Sequence, residues 1–151
     1  MVYSEVNMPE LNELEEELDP VSFADLIATV ISSLKDDVAY ENRENGHTWT
    51  FKYGSADVFV HLSGETEDDT LTVWSPVLEQ PFSNKAELFE TLLAKNWSDT
   101  LEARFSLWNG KIVLHASRTL ADISPGEISR AITLVATLAD EHDDLLKQSF
   151  S

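Results

Sequence analysis

Acid–base and metal chemistry needs carboxylates and histidines, and this chain of 151 residues sets 28 Asp and Glu beside only four His. Two clusters stand out by spacing. The run Asp140 to Asp144 (DEHDD) places His142 among four carboxylates, group types that hold a divalent cation or share a proton. Glu65, Glu67, Asp68 and Asp69 gather hard oxygen donors of the kind calcium prefers. Neither cluster closes into a site. His142 falls four residues after Leu138 and three before Leu145, on the apolar stripe of a helix. A core-edge histidine with one hydrogen bond accounts for it, with the neighbouring acids pointing outward. The acidic run Gly64 to Asp69 lacks the glycine and closing glutamate of an EF-hand loop, so it reads as a solvated turn with at most weak cation binding. Arg104 and His115 are expected as cross-strand neighbours, either a surface pair or a polar contact inside an interface. The sequence holds no Gly-rich phosphate loop, no G-x-S-x-G and no H-E-x-x-H. We therefore read no catalytic residue, no cofactor and no metal site.

Composition narrows the rest. The formal charge of −18 repels phosphate backbones and anionic headgroups, and the ten bases are scattered singly from Lys35 to Lys147. That argues against nucleic acid and against a membrane surface. The apolar runs fall short of the roughly 20 residues a bilayer span requires. The first residues show neither a basic start nor an apolar signal core, so no secretory signal is read there. Zero cysteines exclude disulfides and thiol chemistry and suit a reducing cytoplasm.

The elements follow from periodicity. Residues 1–19 carry seven acids and no base, and are expected to form a mobile acidic arm. Leu11, Leu14 and Leu18 lie at helical spacing within it, so the arm could also fold onto a partner or cover an apolar patch. Residues 20–151 then read as a single domain. Asp19-Pro20 is expected to cap a first helix with Phe23, Leu26, Ile27, Val30, Ile31, Leu34 and Val38 inward. Glu41 to Gly46 is expected as a loop. Three strands follow: one around Trp49, Phe51 and Tyr53, one around Val58, Val60 and Leu62, and one from Leu71 to Leu78. Pro76 marks an edge or a bulge in the last of these. Ser83 or Asn84 caps a second helix with a stripe of Leu88, Phe89, Leu92 and Leu93, ended by a left-handed Asn96. Asn109-Gly110 turns a hairpin with Trp108 opposite Lys111. The capping box Ser124-Pro125-Gly126-Glu127 starts a last helix, whose inward residues include Leu145 and Leu146. The plan is α+β, in the order α-β-β-β-α-β-β-α, an antiparallel sheet covered by helices.

Alternation leaves four large apolar residues on the wrong side of that sheet. Phe59, Trp74, Trp108 and Val113 all face away from the side that the core strands fill. Contiguous apolar surface of this kind marks an interaction site. Its use stays open between a dimer interface and a client groove.

The order of elements, the segment Ser75-Pro76-Val77-Leu78, the pair Leu92-Leu93 followed by Asn96, the hairpin and the long last helix resemble the YbjN and type III secretion chaperone-like superfamily over about residues 20–149. With its acidic arm the chain is similar to small cyanobacterial members. The resemblance implies a homodimer through the second helix and adjacent strands, hence Leu92, and an apolar surface that holds a segment of a client protein. Phe59, Trp74, Leu92, Trp108 and Val113 are thus the expected protein-binding or dimer face. A small-molecule- or metal-dependent sensor or enzyme, and a structural subunit of a larger complex, are the alternatives.

Overall fold

The computed structural model describes residues 22–151. The acidic arm and the expected Asp19-Pro20 cap lie outside these residues. Helix α1 (Phe23–Leu34) is capped by Ser22, whose hydroxyl accepts from the Asp25 N–H at 3.0 Å. A carboxylate distant in sequence completes the cap. Glu65 accepts from the Phe23 N–H at 3.0 Å and the Ala24 N–H at 3.3 Å, opposing the positive end of the helix dipole.

Six antiparallel strands follow: β1 (Ala39–Arg43), β2 (Gly46–Tyr53), β3 (Ala56–Leu62), β4 (Thr70–Glu79), β5 (Arg104–Trp108) and β6 (Lys111–Thr119). They lie side by side in the order β1-β2-β3-β4-β6-β5. Helix α2 (Lys85–Ser98) separates β4 from β5, and helix α3 (Pro125–Phe150) ends the domain. The α+β class holds, with one strand more than the sequence led us to expect. Glu41 to Arg43, expected in a loop, pair instead with β2, Glu41 lying opposite Thr48. The β1 sequence AYENR is exposed throughout, so no buried alternation announces it.

The hairpin has the expected register. Asn109 and Gly110 take φ of 48° and 74°, the two positive values of a type I′ turn, and Trp108 pairs with Lys111. Pro76 stands in a central strand, where a register shift between Pro76 and Leu78 takes up its missing donor. That bulge also turns Leu78 inward, opposite Ile112, whereas unbroken alternation from Thr72 and Trp74 would set it on the far face.

Helices α1 and α3 cover one face of the sheet, the inner face, where Val58, Val60, Leu62, Leu71, Val73, Ile112 and Leu114 meet Ile27, Ile31, Ile128 and Ile132. Each fully buried side chain of this kind contributes about 1.5–3 kcal/mol. Three inward assignments fail: Leu34, Leu93 and Leu145 are exposed. The acids of α3 also depart from the outward-facing picture. Asp143 is 2% exposed and accepts from the Ser55 hydroxyl at 2.6 Å, while Asp140 accepts from the Ser55 N–H at 3.0 Å. The two carboxylates thus grip the turn between β2 and β3.

Helix α2 starts from Asn84 in the left-handed region (φ 48°), and its amide donates to Glu87 at 2.5 Å. Asn96 lies within the helix, so it does not end it. Its side chain accepts from the Phe105 N–H at 2.7 Å and donates to the Phe105 carbonyl at 3.2 Å, pinning β5 to α2. Among the described residues no helix is long and apolar enough to cross a membrane.

Candidate protein-binding face

The outer face of the sheet carries no helix among the described residues. Its occupants follow from the registers. Thr50 opposes Phe59, Phe59 opposes Trp74, Trp74 opposes His115, and His115 opposes Arg104. One residue pair further on, Pro76, Val113 and Ser106 form a second row, and Trp108 lies beside Lys111 at the hairpin end. Phe59 and Trp74 stack with ring centroids 4.2 Å apart and planes inclined by 9°. Trp108 meets Trp74 edge to face at 5.0 Å and 67°. Trp108 remains 49% exposed, while Val113 is only 5% exposed. Trp74, Trp108, Val113, Thr72, Ser106 and His115 line a shallow concavity of about 370 Å³. Four of the five expected residues are therefore brought together on one surface.

Leu92 is not among them. It is buried on α2 and helps line a separate concavity of about 270 Å³ with Phe89, Leu93, Asn96 and Phe105. Leu107 and Ser106 line both hollows, so the two surfaces meet along β5. Beyond Leu93 the α2 surface continues to Trp97, which at 92% exposure is the most open large apolar residue described. The sequence carried a signal for this second surface that had gone unread. Phe89, Leu93 and Trp97 recur at steps of four, a row adjacent to the buried pair Leu88 and Leu92.

Polar groups on the outer face are largely paired with one another. Thr48 bonds His61 at 2.9 Å, Thr72 bonds Ser117 at 2.6 Å, and Ser106 bonds the His115 Nε2 at 2.6 Å. Burial holds the His115 imidazole below its ordinary pKa, favouring the neutral ring. Lys52 pairs with Asp57 at 3.2 Å and Lys111 with Glu79 at 3.4 Å. The Arg104 guanidinium faces His115 across the ladder but donates to its own strand's approach, at 2.6 Å to the Ala103 carbonyl. This is a surface of aromatic rings, hydroxyls and balanced charge. It can hold apolar and backbone groups of a polypeptide.

The acid clusters go elsewhere. Within the acidic loop, Glu65 turns to cap α1, whereas Asp69 accepts from the Thr66 N–H, the Thr66 hydroxyl and the Ser63 hydroxyl. Those bonds hold the Asp69 carboxyl below the usual range. The two carboxylates are occupied with different partners and do not converge. His142 bonds the Leu138 carbonyl at 2.7 Å and lies edge-on to Phe105, as expected of a core-edge ring.

A sheet with helices on one face, an open second face and an α2–β5 margin defines a secretion-chaperone-like α+β fold. A chain of the crystal structure titled ExsC–ExsE complex shares it, with a TM-score of 0.60 at 17% identity over 80% of this chain and 90% of that one. The chain belongs to the YbjN family, whose model matches residues 24–148 and is described as "Putative bacterial sensory transduction regulator". Comparison with curated proteins found no match.

Proposed function

We propose that this protein is a non-enzymatic, cytoplasmic protein-binding module, a chaperone-like or assembly factor that works as a homodimer and holds a segment of a client. The observation that carries the reading is the row Phe59–Trp74–Trp108 on a sheet face that no described helix covers. Stacked aromatics and neighbouring hydroxyls suit an extended segment with alternating apolar side chains. A solved relative in fold, ExsC, was captured with a partner, ExsE, which supports a protein client for this chain too.

The exposed row Leu93 and Trp97 on α2 gives the dimer a surface of its own, leaving the outer face to the client. Two variants separate the roles. Trp97→Glu is expected to give a folded monomer by light scattering. Trp108→Glu is expected to stay dimeric and to lose the partner that co-purifies from the native cell. A monomeric Trp108→Glu protein would instead make the outer face the dimer interface. The family description favours a regulatory outcome of client binding over bulk chaperoning. A sensor of small ligands is the competing reading. Stabilisation by a divalent cation or a nucleotide in a thermal-shift screen would favour it.

A further inference from the structure

The outer face differs from the rest of the molecule in charge as well as in apolarity. The registers place Arg43, Lys52, Arg104 and Lys111 on it, four of the chain's ten bases, against Glu41, Asp57 and Glu79, three of its 28 acids. In a chain of formal charge −18, bases and acids nearly balance on this face, so it repels an acidic segment less than the average surface does. The chain carries such a segment immediately before α1. Glu10, Glu13, Glu15, Glu16, Glu17 and Asp19 surround Leu11, Leu14 and Leu18, with no base among residues 1–21.

We propose that residues 10–19 are the resident occupant of the outer face in the absence of a client. Their leucines meet Phe59, Trp74 and Trp108, and their carboxylates lie toward Lys52, Arg104 and Lys111. Chain geometry permits it. Glu65, in the loop between β3 and β4, holds the first residues of α1, so residue 22 stands at the end of the sheet where His61 and Thr72 begin the outer face. Trp74 lies four residues along β4 from Thr70, about 13 Å at the rise of a strand. Eight residues of extended chain, from Ser22 back to Leu14, reach about 26–29 Å. The proposal rests on reading the outer face as a polypeptide-binding surface. It adds that a client must displace a segment of the protein itself, so that capture is self-limited.

The chain contains no cysteine, so Leu14→Cys in the full-length protein gives one attachment point for a bimane dye, which tryptophan quenches on near contact. The expected result is strong quenching at low salt that is relieved several-fold in a Trp74→Phe, Trp108→Phe background. It should also be relieved in about 1 M salt, where the Debye length falls to about 3 Å. Quenching that survives loss of both tryptophans overturns the proposal, as does a dye bright from the start. Quenching relieved by excess unlabelled chain overturns it too, since the segment would then sit on another copy. The two readings fail separately. Quenching that requires the tryptophans, in a protein whose Trp108→Glu variant still retains its co-purifying partner, sinks the client assignment alone. A bright dye together with loss of the partner in Trp108→Glu sinks the resident segment alone.

Discussion

Ser55 occupies a two-residue turn, yet its hydroxyl and N–H answer to carboxylates 85 and 88 residues away. Ser55→Ala leaves the buried Asp143 without its hydroxyl donor. We expect a loss of about 1–3 kcal/mol, read from the denaturant midpoint. A side chain at Gly54 is strained, since its φ is +57° and a Cβ there would lie 2.2 Å from Asp140 Oδ1, which must shift. His115 gives a second residue-scale expectation. Its pKa is lowered in the fold by burial, so the unfolded chain takes up the proton first as pH falls. The stability this neutral ring confers is present above about pH 6.5 and is lost as pH falls through the lowered folded value. His115→Gln should flatten the fall in unfolding midpoint between about pH 7 and pH 5. An unchanged slope would exclude His115 as its source. The Ser55 clamp was not legible in the sequence, because it depends on partners set by tertiary contact, whereas the Arg104–His115 pairing was, because the hairpin turn fixes that register.

At the scale of elements, legibility followed the strength of the local rule. The hairpin register could be read because Asn109-Gly110 admits one turn type and the turn fixes every later pair. The last helix could be read from its capping box, which forms with both bonds in place. The gathering of Phe59, Trp74, Trp108 and Val113 could also be read, since alternation alone assigns a face once strands pair. Strand β1 could not, because a fully exposed edge carries no apolar alternation. Leu92 lies apart from the other four, because periodicity gives the stripe of α2 but not the surface that receives it. The first helix shows how an element can depend on a distant loop. Glu65→Ala removes the carboxylate from the first two N–H groups of α1 and should cost about 0.5–2 kcal/mol. Amide exchange at Phe23 and Ala24 should accelerate ahead of the rest of the helix. Uniform protection along α1 would show that Ser22 alone suffices.

For the whole molecule, charge and shape act in opposition. Two copies together carry twice the formal −18, so the proposed dimer must form against its own field. Sedimentation should show the dimer tightening as ionic strength rises from about 0.01 to 0.15 M, where the Debye length falls from about 30 to 8 Å. Association indifferent to salt would place the interface far from the acidic surface, or exclude a dimer. The same balance governs the two ends of the sheet. At one end, β1 presents Glu41 and Arg43, paired at 3.2 Å. At the other, the side-chain amide of Asn96 fills both outward backbone groups of Phe105. The asparagine imitates a strand one residue long, and a further strand would have to evict it before it could join. The sheet is thereby stopped from growing edge to edge. Asn96→Ala should increase the β-rich aggregate that forms on concentration, read by thioflavin fluorescence against the unsubstituted protein; equal signals would show that this edge is guarded by something else.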